Sequence, residues 1–352
     1  MRLGSRCGHW MARVAALAFL ALGAAIADAR QVPPNYSWNF ATVTHPGNRV
    51  PNQQEVGGIG YAPFPYGRVD YSYRIATTEV TGSQWQEFLT AYAPYVGNQY
   101  YSRAVWGLSN FTGFSNGVPQ YRLNEGAENL PVNVGWRFAA RFVNWLNNGK
   151  ALTRAAFESG SYDTSTFGPR DPMTGLFPDQ REHSPGAQFW LPTLDEWVKA
   201  VYYDPNKYGP GQEGYWRYPV SQDTPPVYGL PGTPGAQSAA GVLTAPFTPP
   251  VGAYPNAISP WGLLDASGGA TEWTESTGGL DRVAMGSSNF TPGIVPWQDA
   301  LGAYLSGSPE GITYGIRVAS AVPGPGAGVV LGLFLVVSFR RRRSSCVCLP
   351  AS

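Results

Sequence analysis

Cysteine is almost absent from this chain. The sequence has three cysteines in 352 residues, Cys7, Cys346 and Cys348, and none lies between residues 8 and 345. A stretch of that length without a thiol forms no internal disulfide, offers no thiolate to a soft metal and has no sulfur nucleophile. Whatever the middle of the chain does must therefore rely on oxygen and nitrogen groups.

Charged residues are also sparse, at 13% of the sequence, and their distribution is uneven. Seven of the 24 basic residues lie in the two terminal segments, at Arg2, Arg6, Arg13 and Arg340–Arg343. Without these seven arginines and without Asp28, the middle of the chain keeps 17 basic and 22 acidic residues. A mildly acidic domain is a poor match for nucleic acid, so we exclude nucleic acid as a partner.

The first 29 residues have the pattern of a signal peptide. Three arginines precede an apolar run over residues 14–27, and Ala27-Asp28-Ala29 offers a small-x-small cleavage site. The alternative is an uncleaved anchor, but the run is shorter than the roughly 20 residues that span a bilayer. We therefore predict a signal peptide at 1–29, a lead-in at 30–59, and export of the chain beyond the cleavage site.

Residues 321–343 form a second patterned segment. Val322-Pro-Gly-Pro325 is followed by an apolar run over 327–339 and by four arginines at 340–343, before a short tail at 344–352. This order resembles the PEP-CTERM sorting segment, although Gly324 stands where that family usually has Glu. A simple tail anchor is the alternative. A basic cluster after an apolar helix stays on the cytoplasmic side of the membrane. Both interpretations therefore place the rest of the chain outside the cytoplasm, attached to the membrane by this segment. We expect the protein in the cell envelope or secreted.

The middle of the chain is rich in turn-forming and aromatic residues. Glycine and proline number 43 and 32, and aromatics reach 14%. Disordered chains are poor in aromatics, so this composition predicts a folded domain with many loops. Two capping boxes, Thr81-x-x-Gln84 and Thr193-x-x-Glu196, predict helix starts, and Gly149 predicts the end of a helix that begins near Trp136.

Short strands complete the prediction. Tyr71, Tyr73 and Ile75 alternate like a half-buried strand, and the segments 189–191 and 316–318 also have strand character. A few helices, short strands and long loops predict a single irregular domain of the α+β class.

Several motifs, taken in order, resemble the formylglycine-generating enzyme (sulfatase-modifying factor) family over residues 60–320. They are Tyr73-Arg-Ile-Ala-Thr-Thr-Glu79-Val-Thr, Leu130-Pro-Val-Asn-Val-Gly-Trp136, Leu191-Pro-Thr-Leu-Asp-Glu196-Trp197, Trp261-Gly-Leu-Leu-Asp265, Thr271-Glu272-Trp273 and Gly315-Ile-Arg317-Val-Ala. The resemblance implies a variant of the C-type lectin fold, which is an α+β architecture.

The redox centres of that family have no counterpart here. Members of the enzyme type hold copper with two cysteines, and the matching stretch from Ser288 to Gly315 has none. Another branch holds iron with three histidines, whereas only His45 and His183 follow the signal segment. We therefore expect neither copper nor iron. The leading hypothesis is a non-catalytic binding or structural domain; the alternative is a formylglycine-generating-type oxidoreductase or an enzyme of different chemistry on the same scaffold.

One family metal site survives in the sequence. The resemblance implies a structural calcium held by side chains and carbonyls at Asp265, Gly268, Ala270 and Glu272, and calcium prefers such oxygen ligands. Gly269 and Thr271 depart from the family pattern around it. The alternative is that Asp265 caps a turn and Glu272 forms an ion pair.

The partner is predicted only by class. An extracytoplasmic protein or a glycan is expected, because aromatic stretches at residues 92–106 and 202–218 offer rings on which sugars could stack.

Overall fold

The computed structural model describes residues 33–57, 64–242, 249–290 and 295–323. The chain divides into two units, of which Asn35–Ala321 is one, and residues 1–34 with 322–352 are the other. The predicted signal peptide, the apolar and arginine parts of the sorting segment, and the tail lie outside the described residues. Within the described residues, no helix is both long and apolar enough to cross a membrane.

The helices of the unit Asn35–Ala321 are mostly short. They are α1 (Gln53–Val56), α2 (Gly82–Tyr92), α3 (Arg103–Trp106), α4 (Trp136–Asn147), α5 (Arg154–Glu158), α6 (Leu194–Tyr202) and α7 (Val295–Gln298), with 3₁₀ turns at Ala93–Tyr95, Gly97–Tyr101 and Thr164–Thr166. Both predicted capping boxes are present, at the starts of α2 and α6. Gly149 has a φ of 67° just beyond α4, which is the left-handed conformation that ends helices.

The strands are also short and form several small sheets. They are β1 (Phe40–Val43), β2 (Tyr73–Ala76), β3 (Ser109–Ser115), β4 (Val118–Leu123), β5 (Val134–Gly135), β6 (Phe189–Trp190), β7 (Tyr203–Asp204), β8 (Gly214–Tyr215), β9 (Ser267–Gly269), β10 (Glu272–Gly278), β11 (Asp281–Met285), β12 (Ser287–Ser288), β13 (Leu305–Gly307), β14 (Thr313–Ile316) and β15 (Ala319–Ala321). This mixture of helices with several small sheets agrees with the predicted α+β class.

Two sheets organise the unit. One has the order β1-β2-β15-β6, and the other has the order β13-β11-β10-β14-β5. Strands β14 and β15 follow each other in the chain but belong to different sheets, so residues 317–318 connect the two. The pairs β3–β4, β7–β8 and β9–β12 complete the pattern.

A large aromatic core fills the space between helices and sheets. Six tryptophans of the described residues are almost fully buried: Trp85, Trp136, Trp145, Trp190, Trp197 and Trp273. Burying a large aromatic side chain contributes roughly 1.5–3 kcal/mol, so these rings are a major source of stability for a unit with little regular structure.

Two strand predictions need correction. All four residues of β2 are buried, so this strand is not half-buried, because β1 and β15 cover both of its edges and the core covers its faces. Tyr71 lies before the strand and is 46% exposed. The predicted strand at 316–318 is correct only at Ile316, the last residue of β14. Arg317 and Val318 lie between β14 and β15, where the chain passes from one sheet to the other.

Candidate functional site

The residues predicted to hold calcium lie at the junction between the two sheets. Asp265 precedes β9 with a φ of 60°, Gly268 lies in β9 with a φ of 83°, and Glu272 begins β10. A side chain at position 268 would collide with the backbone of Ala240, so this close approach requires glycine. The four predicted positions therefore lie in and around the short strand β9 and the start of β10.

Glu272 is fully buried and pairs with Arg317. The guanidinium donates from Nη2 to Oε1 at 2.6 Å and from Nε to Oε2 at 2.8 Å, a bidentate pair. Trp197 also donates its indole N–H to Oε2 at 2.7 Å. Arg317 also donates hydrogen bonds to the backbone carbonyls of Ala76 and Leu264, at 3.0 and 2.8 Å. Glu272 thus has the ion pair that was the alternative to a calcium-ligating role.

A third acidic side chain, that of Glu79, lies beside the segment that joins β9 to β10. Its Oε1 accepts a hydrogen bond from the backbone N–H of Ala270 at 2.9 Å, while its Oε2 is buried without a partner. Burial and the charges of Asp265 and Glu272 raise the pKa of Glu79 well above its usual range. A side chain at position 269 would collide with Oε1, so Gly269 is what admits this carboxyl.

Asp265 is the fourth charged member of the cluster. Its Oδ2 accepts the backbone N–H of Gly252 at 2.6 Å, and burial raises its pKa to about 6. The cluster of Glu79, Asp265, Glu272 and Arg317, called the acid cluster below, therefore has three carboxyls and one guanidinium. Ionising every carboxyl would leave two uncompensated negative charges, one of them on the buried Glu79, which is unfavourable.

The donor chemistry of the acid cluster fits a hard cation. A divalent ion would compensate the excess charge, and carboxylate and carbonyl oxygens are the ligands that calcium prefers. The unpartnered Oε2 of Glu79 and the raised pKa of Asp265 mark the two carboxyls that lack a counter-charge. Considering side chains alone, no group of three or more His, Cys, Asp or Glu residues is arranged around a metal position in the described ranges.

The segment 288–315, where the sequence lacks the family's cysteines, contains a buried carboxyl. Asp299 follows α7, and its Oδ2 accepts hydrogen bonds from Ser267 at 2.7 Å and from Tyr228 at 3.0 Å. Burial raises the pKa of Asp299 to about 6, and hydrogen bonds from Ser287 and Ser267 oppose that shift. This buried network of hydroxyls around one carboxyl, called the Asp299 network, was not foreseen from the sequence.

The two histidines have different surroundings. The Nδ1 of His183 lies 3.0 Å from both carboxyl oxygens of Glu275, and its ring stacks on Trp190 with centroids 4.5 Å apart. His45 instead lies beside Thr44 and Trp261. The structure gives no grouping of the two with a third metal ligand among the described residues.

The aromatic stretches predicted as sugar platforms differ in exposure. In the second stretch Tyr202, Tyr203 and Tyr215 are buried in the core, so they cannot stack on a ligand, although Tyr208 is exposed. In the first stretch Tyr101 is 62% exposed, and it packs against the rings of the β3–β4 hairpin. Most rings of the second stretch are therefore unable to contact a sugar.

Comparison with known families gives one match. A family model described as a sulfatase-modifying factor enzyme 1-like domain matches residues 41–320. The match begins in β1, which lies within the predicted lead-in, and ends in β15, so it spans both main sheets. No curated protein matches the chain.

Proposed function

Because the chain belongs to the sulfatase-modifying factor family, we propose that it is an exported, envelope-anchored binding domain of that family that does not generate formylglycine. The scaffold positions a ligand, and a structural calcium in the acid cluster stabilises the loop from Asp265 to Glu272. The C-type-lectin-like variant of the α+β fold is part of this proposal.

One observation carries the proposal. The sequence has no cysteine between residues 8 and 345, so the family domain has no thiolate with which to hold copper(I). Support also comes from the Asp299 network, since a buried carboxyl among serine and tyrosine hydroxyls lies in the segment where the enzyme-type members carry their cysteines. Such hard oxygen groups favour neither copper(I) nor sulfur chemistry.

Export and anchoring rest on the sequence of the two ends. The arginine-flanked apolar run with Ala27-Asp28-Ala29, and the proline-bounded apolar run before Arg340–Arg343, are both typical of extracytoplasmic proteins. The expected partner is correspondingly an extracytoplasmic protein or glycan.

An enzyme of different chemistry is the second candidate, and one observation favours it. His183 is partly exposed, and its Nδ1 is held by the buried carboxylate of Glu275, which also accepts the hydroxyl of Tyr162 at 2.7 Å. Although burial lowers the pKa of His183, the hydrogen bond and charge of Glu275 outweigh it and raise that pKa above its ordinary value. An oriented histidine of this kind is suited to general acid–base work.

Copper(I) competition tests the proposal. The full-length chain and a variant with Cys7, Cys346 and Cys348 all replaced by serine are titrated into a coloured copper(I)–bicinchoninate complex under anaerobic conditions. We expect the serine variant to leave the complex intact, because its domain offers no thiolate. Any copper removed by the full-length chain alone is then assigned to the cysteines of the ends. Stoichiometric removal of copper by the serine variant would contradict the proposal.

A further inference from the structure

Two adjoining cavities open on the face formed by α3, the β3–β4 hairpin and the start of α4. The larger, of about 630 Å³, is lined by Ser102, Arg103, Trp106, Asn110, Asn124 and Asn133, and we call it the polar groove. The smaller, of about 370 Å³, is lined by Gln99, Arg137, Phe138, Arg141 and Phe167, and we call it the arginine pocket. Ser102 and Glu310 line both cavities, so the two are neighbours. Their volumes lie in the range of small-molecule sites.

Arg141 of the arginine pocket is a cation without a counter-ion. Its Nη1 donates to the carbonyl of Arg137 at 3.0 Å, its Nε is buried without a partner, and no carboxylate of the described residues lies within ion-pair distance. Burial accordingly lowers the pKa of Arg141. The rings of Phe138 and Phe167 lie 5.5 and 5.1 Å from the guanidinium carbon and fix its plane.

The neighbouring arginine, Arg137, has the counter-ions that Arg141 lacks. Arg137 forms a bidentate pair with Asp179, at 2.9 and 2.7 Å, and a further bond to Glu310 at 2.8 Å. In a domain with more acidic than basic residues, carboxylates are available to pair with arginines. The unpaired Arg141 therefore indicates a position for an anion supplied by a ligand, which an arginine binds with two parallel hydrogen bonds.

The polar groove has the chemistry of a site for hydroxyl groups. Three asparagines line it, Asn110, Asn124 and Asn133, whose amides can both donate and accept, and Asn110 donates one hydrogen bond to the side-chain oxygen of Asn124. Trp106 is the one large ring among the described residues that line the groove. The Trp106 indole N–H is held by the carbonyl of Tyr100 at 2.6 Å, which fixes the ring. Arg103 adds a second cation at this groove, since it has no ion pair among the described residues.

We propose that the polar groove and the arginine pocket together bind an acidic saccharide, with its hydroxyls on the asparagines and a carboxylate on Arg141. The proposal rests on the binding function proposed above and names the class of ligand. An acidic peptide fits less well, because side-chain specificity for peptides comes from apolar pockets, whereas amides and hydroxyls dominate the larger cavity.

Titration calorimetry with charged and neutral sugars tests this site. The probes for the full-length chain are tetragalacturonate, a neutral tetrasaccharide of equal length and tetraglutamate. We expect saturable binding of the uronate, at least tenfold weaker binding of the other two, and a loss of about 10- to 100-fold in uronate affinity for Arg141→Met, because a charge-assisted pair is removed. Asn133→Ala, in the polar groove, should weaken uronate binding by about 2- to 10-fold.

Two controls are needed: a variant of an arginine outside both cavities, and a check that each variant remains folded. Arg68→Met removes an equally charged but exposed arginine that lines neither cavity, and it should leave uronate affinity unchanged. Each variant is first shown to melt like the parent chain. Absence of uronate binding to the parent chain, equal affinity in Arg141→Met, or preference for tetraglutamate would each overturn the saccharide site. The copper(I) result does not depend on any of these outcomes, so the two proposals fail separately.

Discussion

Replacing Arg317 by methionine is expected to lower the free energy of unfolding by about 3–5 kcal/mol, because it leaves the buried carboxyl of Glu272 without its partner. Domains have only about 5–15 kcal/mol in total, so the loss should lower the melting temperature by roughly 10 °C. Thermal unfolding followed by circular dichroism measures the change.

The exposed pair of Arg68 and Asp70 provides the matched control. Arg68→Met breaks an ion pair of similar length, 3.0 Å, but both side chains are more than half exposed, so it should cost no more than about 1 kcal/mol. The double variant Glu272→Met with Arg317→Met should regain part of the loss, because no unpaired charge remains. If Arg317→Met melts like Arg68→Met, the buried ion pair does not contribute to stability as predicted.

Calcium at 10 mM should raise the melting temperature of the chain by a few degrees at pH 7.5. Extracellular calcium modules bind with dissociation constants of about 0.1–1 mM, so this concentration supplies about 1.5–2.7 kcal/mol to a folded state that alone binds the ion. Differential scanning calorimetry with and without chelator measures the shift. Magnesium at the same concentration should have a smaller effect, because it dehydrates reluctantly.

The same carboxyls give the calcium effect a defined pH dependence. Burial raises the pKa of Asp265 to about 6 and that of Glu79 above its usual range, so both bind a proton more tightly in the folded chain. Without calcium, the contribution of Asp265 to stability is full below about pH 4, the unfolded-state pKa, and is lost as the pH rises through about 6. The contribution of Glu79 has the same sign, because its pKa is also raised in the folded chain. Calcium competes with these protons, so its stabilising effect should be larger at pH 7.5 than at pH 5.5.

Single substitutions connect the calcium effect to the acid cluster. Asp265→Asn keeps the size of the side chain but removes its charge, and we expect it to abolish most of the calcium shift. Asp70→Asn, at an exposed aspartate outside the cluster, should retain the full shift. An absent calcium shift in the parent chain, or an unchanged shift in Asp265→Asn, would rule out the predicted site.

Local signals in the sequence predicted the helices well. Thr81 with Gln84 and Thr193 with Glu196 satisfy the first backbone N–H groups within four residues of each other, and such contacts depend little on the rest of the fold. The segment 316–318 fits a strand by sequence because Ile316 and Val318 are β-branched, but only Ile316 is in one. Its actual course, from one sheet to another, depends on pairings of β14 and β15 with distant strands.

The composition of the acid cluster could be predicted only in part. The order of the motifs pointed to Asp265 and Glu272, which lie on either side of β9, with Glu272 at the start of β10. Neither the pairing of Glu272 with Arg317, 45 residues away, nor the entry of Glu79, 191 residues before Ala270, has a local signature. Gly269 leaves room for Glu79, because a side chain at that position would occupy the space of the incoming carboxyl. Such a vacancy is recognisable only once the two segments are placed together.

Formation of formylglycine on a peptide tests the central claim most directly. The chain with all three cysteines replaced by serine is incubated with a peptide that carries the cysteine motif of sulfatases, together with copper, a thiol reductant and dioxygen. The aldehyde is detected by oxime labelling and mass spectrometry, beside a copper-containing enzyme of the family as positive control. We predict no aldehyde above the level of peptide alone. Aldehyde that accumulates in proportion to the amount of this chain would contradict the claim that the domain binds without oxidising.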